Sequence, residues 1–411
     1  MILYFWRKGT VQAMKRYNTI TPEGIRDLLF EECVARRKYE KLLRELFLGR
    51  GYNEVVTGGL EFYDVFASDT LHFPQEGMYK LTDNKGRLLV CRPDSTAPIA
   101  RLVATRLRNE TLPIRLFYNQ DVYQMTKSLS GRSDEVVQMG IELIGSSSRR
   151  ADLEVIVTAL DALMSCDSTD FRLEIGHIGF FNALTKSLPV PDETREEIRG
   201  FVETKNYAAL NDLLDTIDDT KALAALRKLP SLFGGDEVIH TAAALFESPE
   251  TQEVLDYLKG IYDELSRLNL SEKVIIDLGL VHRKDYYTGV IFRGYIEGCG
   301  EQVLSGGRYD TLIADYGLNL PAIGFAADIS AIASALSKED QTVALRGADV
   351  LIFAEAEHQM QGLAHEKELI SSGLRCEYCL FETLLEAKDY AKQKGISRLH
   401  HVHGEIDELT L

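Results

Sequence analysis

Gln138 and Glu142 are the residues of this sequence whose types and spacing best suit the binding of a small polar molecule. They lie in the run 135–145, where apolar and polar residues alternate as in a strand with one apolar and one polar face. At about 3.3 Å per residue, their Cα atoms stand roughly 13 Å apart on the polar face. An amide and a carboxylate at that separation suit the two ends of one small ligand. The alternative is that this face simply meets water.

Three further segments contain residues that either bind ligands or build turns. They are Arg92-Pro93-Asp94-Ser95-Thr96-Ala97, Asp285-Tyr286-Tyr287-Thr288-Gly289 and Gly306-Gly307-Arg308-Tyr309-Asp310. Each has a purely structural interpretation, because tyrosine favours strands, glycine favours turns, and Asp94 in front of Thr96 suits a helix cap. A single segment therefore indicates only sheet and hairpin. Their coincidence in one chain favours a binding site.

Hydrophobic periodicity predicts the elements that must position these residues. Thr21-Pro22-Glu23-Gly24 is a helix start signal, and apolar residues then recur at helical spacing as far as Gly49. The runs 78–82 and 88–92 flank a turn signal, so we expect a hairpin there. The predicted strands of this core are 51–57, 78–82, 88–92, 114–125, 135–145, 274–276, 287–295 and 322–325.

The predicted core is interrupted, because between about 186 and 270 the pattern becomes helical and charged. After the core, residues 345–411 alternate between helical and strand patterns, which indicates a small α/β unit. The fold class is therefore α+β. The predicted domains are an N-terminal extension (1–18), a discontinuous core (19–185 and 271–340), a helical insertion (186–270) and the α/β unit (345–411).

The charge balance disfavours a nucleic-acid ligand. The 411 residues include 46 Lys and Arg against 63 Asp and Glu, a net charge of -17. An acidic surface repels phosphate backbones unless a local patch reverses the sign. Carboxylates also crowd the region 377–408. We therefore expect no tRNA ligand.

Cysteine usage and the N-terminus indicate a cytoplasmic protein. The six cysteines are scattered without a secretory signal, as is typical of reduced thiols. The apolar run 1–6 is too short to cross a bilayer, so we expect no membrane segment and expect Met14 to be the native start. Cys376 and Cys379 form a CxxC pair with His400 and His403 downstream, a spacing that can hold zinc. Ordinary strand and loop positions fit the two cysteines equally, and we predict no metal and no cofactor.

The element order and the four segments together resemble the catalytic core of class II histidyl-tRNA synthetase. The resemblance covers about residues 19–335, and the unit 345–411 resembles a shortened anticodon-binding domain of that family. It implies an antiparallel sheet flanked by helices and a histidine pocket. The pocket residues it implies are Asp94, Thr96, Gln138, Glu142, Tyr286, Tyr287 and Tyr309. Their chemistry agrees, since an ammonium needs carboxylate or carbonyl acceptors and an imidazole edge needs hydroxyl or carboxylate partners. Asp94 replaces a Glu of the family, which shortens its reach by one methylene.

The positive charges that the family uses to form an aminoacyl-adenylate are missing. Three arginines of the family are replaced, by Gln124 in motif 2, by Ala331 in motif 3 and by His282 at the histidine-specific position, while Thr126 and Ser330 stand where the same two motifs have glutamates. Loss of one such donor costs about 10²–10³ in rate, so three losses exceed roughly 10⁶. In an extended segment Arg283 would point to the opposite face and would not substitute. We expect no adenylation and no catalytic residue.

A chain that keeps the amino-acid pocket but lacks these cations resembles the synthetase-like regulatory subunits of ATP phosphoribosyltransferase. This resemblance implies a non-catalytic subunit that works with a short-form catalytic subunit in the first step of histidine biosynthesis. It also implies a hetero-octamer, self-association of this chain as a dimer, and feedback inhibition with histidine as the effector. The alternatives are a divergent, active histidyl-tRNA synthetase, an interaction module that senses uncharged tRNA, and a relic pocket that binds histidine weakly.

Overall fold

The computed structural model divides the chain into two compact units, Met1–Asp340 and Gln341–Leu411. The structure describes residues 17–68, 71, 73–125, 133–166, 170–218, 220–281, 286–336 and 346–411. Among the residues singled out above, Met14, Thr126, His282, Arg283 and Asp285 lie outside the described residues.

The strands form three sheets. They are β1 (Asn53–Glu54), β2 (Leu60–Phe62), β3 (Lys80–Thr82), β4 (Leu88–Cys91), β5 (Ile114–Tyr123), β6 (Glu135–Ile144), β7 (Phe171–His177), β8 (Phe233–Gly234), β9 (Val274–Asp277), β10 (Val290–Ile296), β11 (Leu304–Arg308), β12 (Ala322–Asp328), β13 (Val350–Ala354), β14 (Cys376–Tyr378), β15 (Arg398–Val402) and β16 (Ile406–Thr410). The sheet orders are β1-β5-β6-β12-β11-β10-β7-β9-β8, β2-β4-β3 and β14-β13-β15-β16. In the large sheet, only the pairs β1–β5 and β7–β9 are parallel among the described strands. The predicted antiparallel sheet is confirmed.

Helices pack on the large sheet, and others lie in the region 186–270 and in the C-terminal unit. The helices are α1 (Glu31–Gly49), α2 (Thr96–Arg106), α3 (Arg149–Ser165), α4 (Ile178–Lys186), α5 (Asp192–Glu203), α6 (Tyr207–Leu214), α7 (Lys221–Lys228), α8 (Glu237–Leu245), α9 (Pro249–Arg267), α10 (Ile329–Leu336), α11 (Gln359–Ser371) and α12 (Leu384–Lys394). Phe47 of α1 meets Phe117 of β5 and Phe325 of β12 with ring centroids 5.9 Å apart in both cases. Since side chains alternate along a strand, Glu142 next to Ile141 points to the opposite face.

The predicted hairpin of 78–82 and 88–92 is confirmed by the strand pairing, and β5 and β6 also pair as antiparallel neighbours. β3 pairs with β4 across the turn at 83–86, and β5 pairs with β6 over ten residue pairs from Ile114↔Ile144 to Tyr123↔Glu135. This second register places Tyr118 opposite Gly140 and Gln120 opposite Gln138. The hairpin thus brings three polar side chains of two strands onto the same face of the sheet.

The predicted start of the first helix at Thr21 is wrong, because α1 begins at Glu31. The backbone turns at Gly24, which has φ +79°, and its carbonyl accepts a hydrogen bond from the Asp134 N–H at 2.7 Å. Pairing with a distant loop therefore prevents the helical path that the local signal favours. The strand predicted at 51–57 is likewise reduced to the two residues of β1.

In the region 186–270, for which the sequence predicts a helical insertion, the structure contains helices α5 to α9. The longest of them, α9, begins with a capping box in which Ser248 and Thr251 each accept the other's backbone N–H. The insertion also contains β8, which pairs with β9 and extends the large sheet. A strand of two residues is too short to produce a period-2 pattern, so this element was not predicted.

The C-terminal unit contains a four-stranded sheet with helices. β13 pairs in parallel with β14 and β15, and the edge strand β16 is antiparallel to β15. Leu351, Phe353 and Leu399 of the sheet form a buried cluster with Ala387 and Ala391 of α12. These parallel strands with crossover helices identify the unit as α/β.

Candidate amino-acid-binding site

The centre of the site is the Glu142 carboxylate on β6, which is 1% exposed. Thr96 donates a hydrogen bond from its Oγ1 to Glu142 Oε1 at 3.0 Å, and the Tyr309 hydroxyl donates to Oε2 at 2.5 Å. The idea that this face merely meets water is therefore wrong for Glu142. A carboxylate oriented by two hydroxyls is a strong acceptor for a cationic or N–H-bearing ligand.

Glycines make room for this carboxylate. A Cβ on Gly324, which lies opposite Glu142 in β12, would be 1.9 Å from Glu142 Oε2 and 2.4 Å from the Ile141 carbonyl oxygen. On the same face, a Cβ on Gly140 would be 2.5 Å from the Tyr118 hydroxyl. The absence of side chains at these positions thus allows Glu142 and Tyr118 to lie flat on the sheet.

Gly324→Ala is therefore expected to displace the Glu142 carboxylate and weaken ligand binding. Overpacking of this kind costs about 1–3 kcal/mol, which we expect to see as a lower free energy of unfolding. Calorimetric titration with histidine and urea unfolding measure the two effects. Gly300→Ala is the matched control, because a Cβ there meets nothing within 4 Å. Equal behaviour of the two variants would contradict the role assigned to Gly324.

Tyrosines surround the carboxylate. Tyr286 lies with its ring centroid 4.7 Å from that of Tyr287 and 5.9 Å from that of Tyr309. Burial raises the pKa of Tyr118, Tyr286 and Tyr309 well above the ordinary value. The negative charge of Glu142 acts in the same direction on all three, and that of Asp94 does so on Tyr118 and Tyr286. These hydroxyls are therefore neutral near neutral pH and can both donate and accept hydrogen bonds.

Tyr118 belongs to this cluster and was not predicted from the sequence. It is fully buried, and both Glu142 and Asp94 contribute to its raised pKa. Its position follows from the pairing of Tyr118 with Gly140 across the β5–β6 hairpin. The strand register would have identified it. Tyr118 and Gln120 are two residues apart on β5, so their side chains lie on the same polar face as Gln138.

Asp94 acts as a helix cap in this structure. It is buried, and its Oδ1 accepts hydrogen bonds from the backbone N–H groups of Thr96 at 2.8 Å and Ala97 at 3.1 Å. The structural interpretation of Asp94 is thus confirmed, and the cap fixes Thr96 at the first turn of α2. A direct contact of Asp94 with a ligand stays a prediction.

Gln138 lies four residues from Glu142 on β6, opposite Gln120 of β5 and Asp328 of β12. The buried Gln120 accepts the backbone N–H and the hydroxyl of Thr57 at its Oε1. Its Nε2 is buried without a hydrogen-bond partner among the described residues. The Gln120 and Gln138 amides and the Asp328 carboxylate thus form a polar row beside the Glu142 site. Gln138 lies on the polar face of β6, where its position was predicted.

The resemblance implies charged residues at the positions of Gln124, Ser330 and Ala331, and these described positions hold neutral side chains with structural contacts. Gln124 donates from Nε2 to the Pro93 carbonyl at 2.6 Å, and Ser330 Oγ accepts the Val137 N–H at 3.2 Å. Ala331 donates its backbone N–H to Asp328 Oδ1 at 2.8 Å, and burial raises the pKa of Asp328 to about 6. Within the described part of the site, these positions offer no charge for a phosphate group.

The two buried arginines next to the pocket segments are already paired. Arg92 donates to the carbonyls of Thr57, Gly58 and Asp121 at 2.7–3.1 Å. Arg308 donates from Nε to Asp152 Oδ1 at 2.8 Å, and its Nη2 forms an ion pair with the same oxygen. Both guanidinium groups therefore bond to groups within the protein and have a structural role.

The C-terminal cysteines and histidines have separate partners. His400 bonds to His365 at 2.8 Å, His403 bonds to Asp407 at 3.0 Å, and the Cys379 N–H bonds to the Ile352 carbonyl. Across the described residues, no group of three or more His, Cys, Asp or Glu side chains could hold a metal ion. Cys376 and Cys379 occupy strand and loop positions. Neither they nor the other four cysteines, which are all described, form a disulfide.

Comparison with known proteins finds relatives that match most of this chain. A sequence model of the family described as histidyl-tRNA synthetase matches residues 24–332. An ATP phosphoribosyltransferase regulatory subunit of Clostridium botulinum (strain Langeland) is 38% identical over 395 residues, which cover 95% of this chain and 94% of the relative. The one of Clostridium acetobutylicum is 39% identical over 390 residues, covering 94% and 95%.

The chain belongs to the family of ATP phosphoribosyltransferase regulatory subunits. Among solved structures, an "ATP phosphoribosyltransferase regulatory subunit/histidyl-tRNA synthetase" from Bacillus halodurans is similar with a TM-score of 0.84 and 29% identity. The similarity covers 95% of this chain and 100% of that one. Histidyl-tRNA synthetase from Nostoc has a TM-score of 0.76 at 18% identity and 95% and 96% coverage, and shows the fold alone. The predicted class II synthetase-like fold and family are confirmed. No helix among the described residues of this family member is long and apolar enough to span a membrane.

Proposed function

We propose that this chain is the non-catalytic regulatory subunit of ATP phosphoribosyltransferase, acting with a short catalytic subunit in the first step of histidine biosynthesis in the cytoplasm. The observation that carries the proposal is the buried Glu142 carboxylate, held by Thr96 and Tyr309, in a chain whose residues at 124 and 331 are neutral. Such a pocket can bind an amino acid, but it has no cation among the described residues to stabilise the transition state of adenylation.

Histidine is the proposed ligand of the pocket. Its imidazole N–H faces Glu142 and the neutral hydroxyls of the tyrosine cluster, and its ammonium faces Asp94 and Gln138. Hydrogen bonds between charged and neutral partners of this kind are short and strong in a buried site. The row from Gln138 to Glu142 on one strand supports this orientation, because it separates the acceptors for the two ends of the ligand.

Feedback inhibition requires that histidine bind two states of the assembly with different affinity. A ligand shifts an equilibrium only by its differential binding energy, and a tenfold preference corresponds to about 1.4 kcal/mol. We propose that histidine favours a less active state of a hetero-octamer formed with the catalytic subunit, and that the isolated chain forms a dimer. The net charge of -17 supports the absence of a tRNA ligand.

Co-expression with a short-form catalytic subunit tests this function. We expect the two proteins to co-purify, phosphoribosyl transfer to ATP to depend on this chain, and histidine to inhibit the complex. Steady-state assays with and without this chain measure the dependence, and mass photometry measures the assembly. Full activity of the catalytic subunit alone, with no co-purification, would overturn the proposal.

A divergent histidyl-tRNA synthetase is the second candidate, favoured by the match of residues 24–332 to that family model. Histidine-dependent ATP–pyrophosphate exchange distinguishes the two functions. We expect no exchange above background from the purified chain, and we expect Gln124→Arg to restore none, because Ala331 still lacks a charge. Exchange that depends on histidine would establish the synthetase instead.

A further inference from the structure

The side-chain amide of Gln120 on β5 is buried with its donor group unused. Its Oε1 accepts hydrogen bonds from the Thr57 backbone N–H at 3.2 Å and from the Thr57 hydroxyl at 3.3 Å. A backbone N–H can only donate, so the oxygen of the amide faces Thr57 and the NH₂ group faces away from it. The side chain is 6% exposed, and its Nε2 has no hydrogen-bond partner among the described residues. A buried donor without a partner costs free energy, which a bound acceptor recovers.

The strand register places this donor at the amino-acid pocket. Gln120 lies directly opposite Gln138 in the β5–β6 pair. Residues opposite each other share a face of the sheet, with Cβ atoms about 4.5–5.5 Å apart. Tyr118, two residues earlier on β5, lies on the same face, and its hydroxyl is under the electrostatic influence of Glu142. The unused donor therefore lies at the Gln138 end of the pocket.

A buried cation, Arg92, lies next to Gln120. Arg92 is 4% exposed, and its hydrogen bonds among the described residues go to backbone carbonyls and to the Thr57 hydroxyl. None of these acceptors is a carboxylate, so no direct ion pair with a described residue cancels the charge. Burial raises the pKa of the Tyr118 hydroxyl, and the charge of Arg92 opposes this rise. The positive potential of Arg92 thus extends into the pocket.

Thr57 connects this cation to the Gln120 amide. Arg92 donates from Nη1 to Thr57 Oγ1 at 3.1 Å, and the same hydroxyl donates to Gln120 Oε1 at 3.3 Å. A guanidinium group can only donate, so the proton of the hydroxyl is available to Gln120. In such a chain each hydrogen bond polarises the next one. Electron density withdrawn from the carbonyl oxygen makes the unused N–H group of Gln120 a stronger donor to an anion.

We propose that the Gln120 amide binds the α-carboxylate of the amino-acid ligand. This inference rests on the proposed function, since it assigns the one polar group of histidine that has no partner there. The imidazole faces Glu142, and the ammonium faces Asp94 and Gln138. The carboxylates on that side repel an anion, whereas the side toward Gln120 has an unused donor and the nearby charge of Arg92. Gln120 is thus a specificity-determining residue that selects an α-amino acid over the corresponding amine.

Isothermal titration calorimetry of the full-length chain with L-histidine and with histamine tests this assignment. Histamine has the imidazole and the ammonium of histidine but no carboxylate. The unchanged chain is expected to bind histidine about tenfold or more tightly than histamine, because a hydrogen bond to a charged group is lost in histamine. This ratio is a test that requires no substitution.

Gln120→Met keeps the length of the side chain but removes the donor. It is expected to weaken histidine binding about tenfold and to leave the affinity for histamine within threefold of that of the unchanged chain. A purely structural role of Gln120 would change both affinities alike. Histamine binding therefore also reports whether the pocket of the variant is intact.

Gln120→Glu is a second variant, which keeps an acceptor for Thr57 but replaces the donor with a negative charge. At pH 8 it is expected to weaken histidine binding about 30-fold or more, because like charges then meet, and not to weaken the binding of cationic histamine. Asn119→Asp is the matched control, since it adds the same charge to the neighbouring residue of β5, whose side chain points to the opposite face. Both affinities of the control are expected to stay within twofold.

The outcomes separate this inference from the function on which it rests. If the two Gln120 variants lose affinity for histidine and histamine equally, Gln120 has only a structural role and the inference is overturned, while the proposed function stands. Equal affinity of the unchanged chain for the two ligands overturns it as well, because the pocket then has no carboxylate-binding group. If the unchanged chain binds neither ligand, the proposed histidine site itself is wrong.

Discussion

Glu142→Gln is expected to weaken histidine binding about 100-fold or more, as measured by isothermal titration calorimetry. The substitution keeps the volume of the side chain but removes the buried negative charge that Thr96 and Tyr309 orient. Loss of one partner of a buried charged hydrogen bond costs about 2–5 kcal/mol, and 1.4 kcal/mol corresponds to a factor of ten. The fold is expected to persist, because both hydroxyls can accept as well as donate hydrogen bonds.

Glu135→Gln is the matched control for this experiment. Glu135 lies on the same strand and accepts a hydrogen bond from the Tyr123 hydroxyl at 2.9 Å, but it is seven residues from Glu142 and points to the other face. The affinity of the Glu135→Gln variant for histidine is expected to stay within twofold of that of the unchanged chain. Unchanged binding by folded Glu142→Gln would show that the pocket is not the histidine site.

Arg308→Leu is expected to lower the free energy of unfolding by about 3–5 kcal/mol. Arg308 pairs with Asp152, and both side chains are buried between the sheet and α3. Without the guanidinium, the Asp152 carboxylate keeps, among the described residues, the hydrogen bond from the Tyr257 hydroxyl at 2.6 Å. Urea unfolding followed by circular dichroism measures the loss.

The pH dependence of this variant provides a second readout. Burial already raises the pKa of Asp152 above its unfolded value, and removal of Arg308 raises it further. A raised carboxyl pKa stabilises the folded state at low pH, and this contribution is lost as pH rises through the folded pKa. The loss in free energy of unfolding caused by Arg308→Leu is therefore expected to be smaller at pH 5 than at pH 8.

The control is Arg172→Leu, which removes a partly exposed ion pair with Asp170 at 2.8 Å in the same unit. Exposed pairs contribute about 0–1 kcal/mol because water and salt screen them. The double variant Asp152→Asn, Arg308→Leu is expected to recover part of the loss. If Arg308→Leu lowers the free energy of unfolding as little as the control does, the structural role of the buried Arg308–Asp152 pair is contradicted.

Much of the fold was predictable because its signals are local. The alternation in 135–145 predicted β6, and the turn signal at 83–86 predicted the hairpin of β3 and β4. The helix start was missed because the decisive contact joins Gly24 to Asp134. Tyr118 was missed for a similar reason, since only the register with Gly140 brings it to the pocket.

The sequence by itself determined which charges this protein has. Residue identity shows that Glu142 is a carboxylate and that Gln124, Ser330 and Ala331 are uncharged, whatever conformation the chain adopts. The motifs were sufficient to predict the family, which the comparisons confirm. Binding without adenylation stays a prediction.

Only the tertiary structure decided how these residues are used. Thr96 and Tyr309 reach Glu142 from 46 and 167 residues away, and Arg308 meets Asp152 across 156 residues. Sequence spacing contains no information about such contacts, because they depend on sheet order and strand register, which are set by the packing of the whole unit. The same packing makes Asp94 a helix cap and leaves Leu380 exposed at the surface.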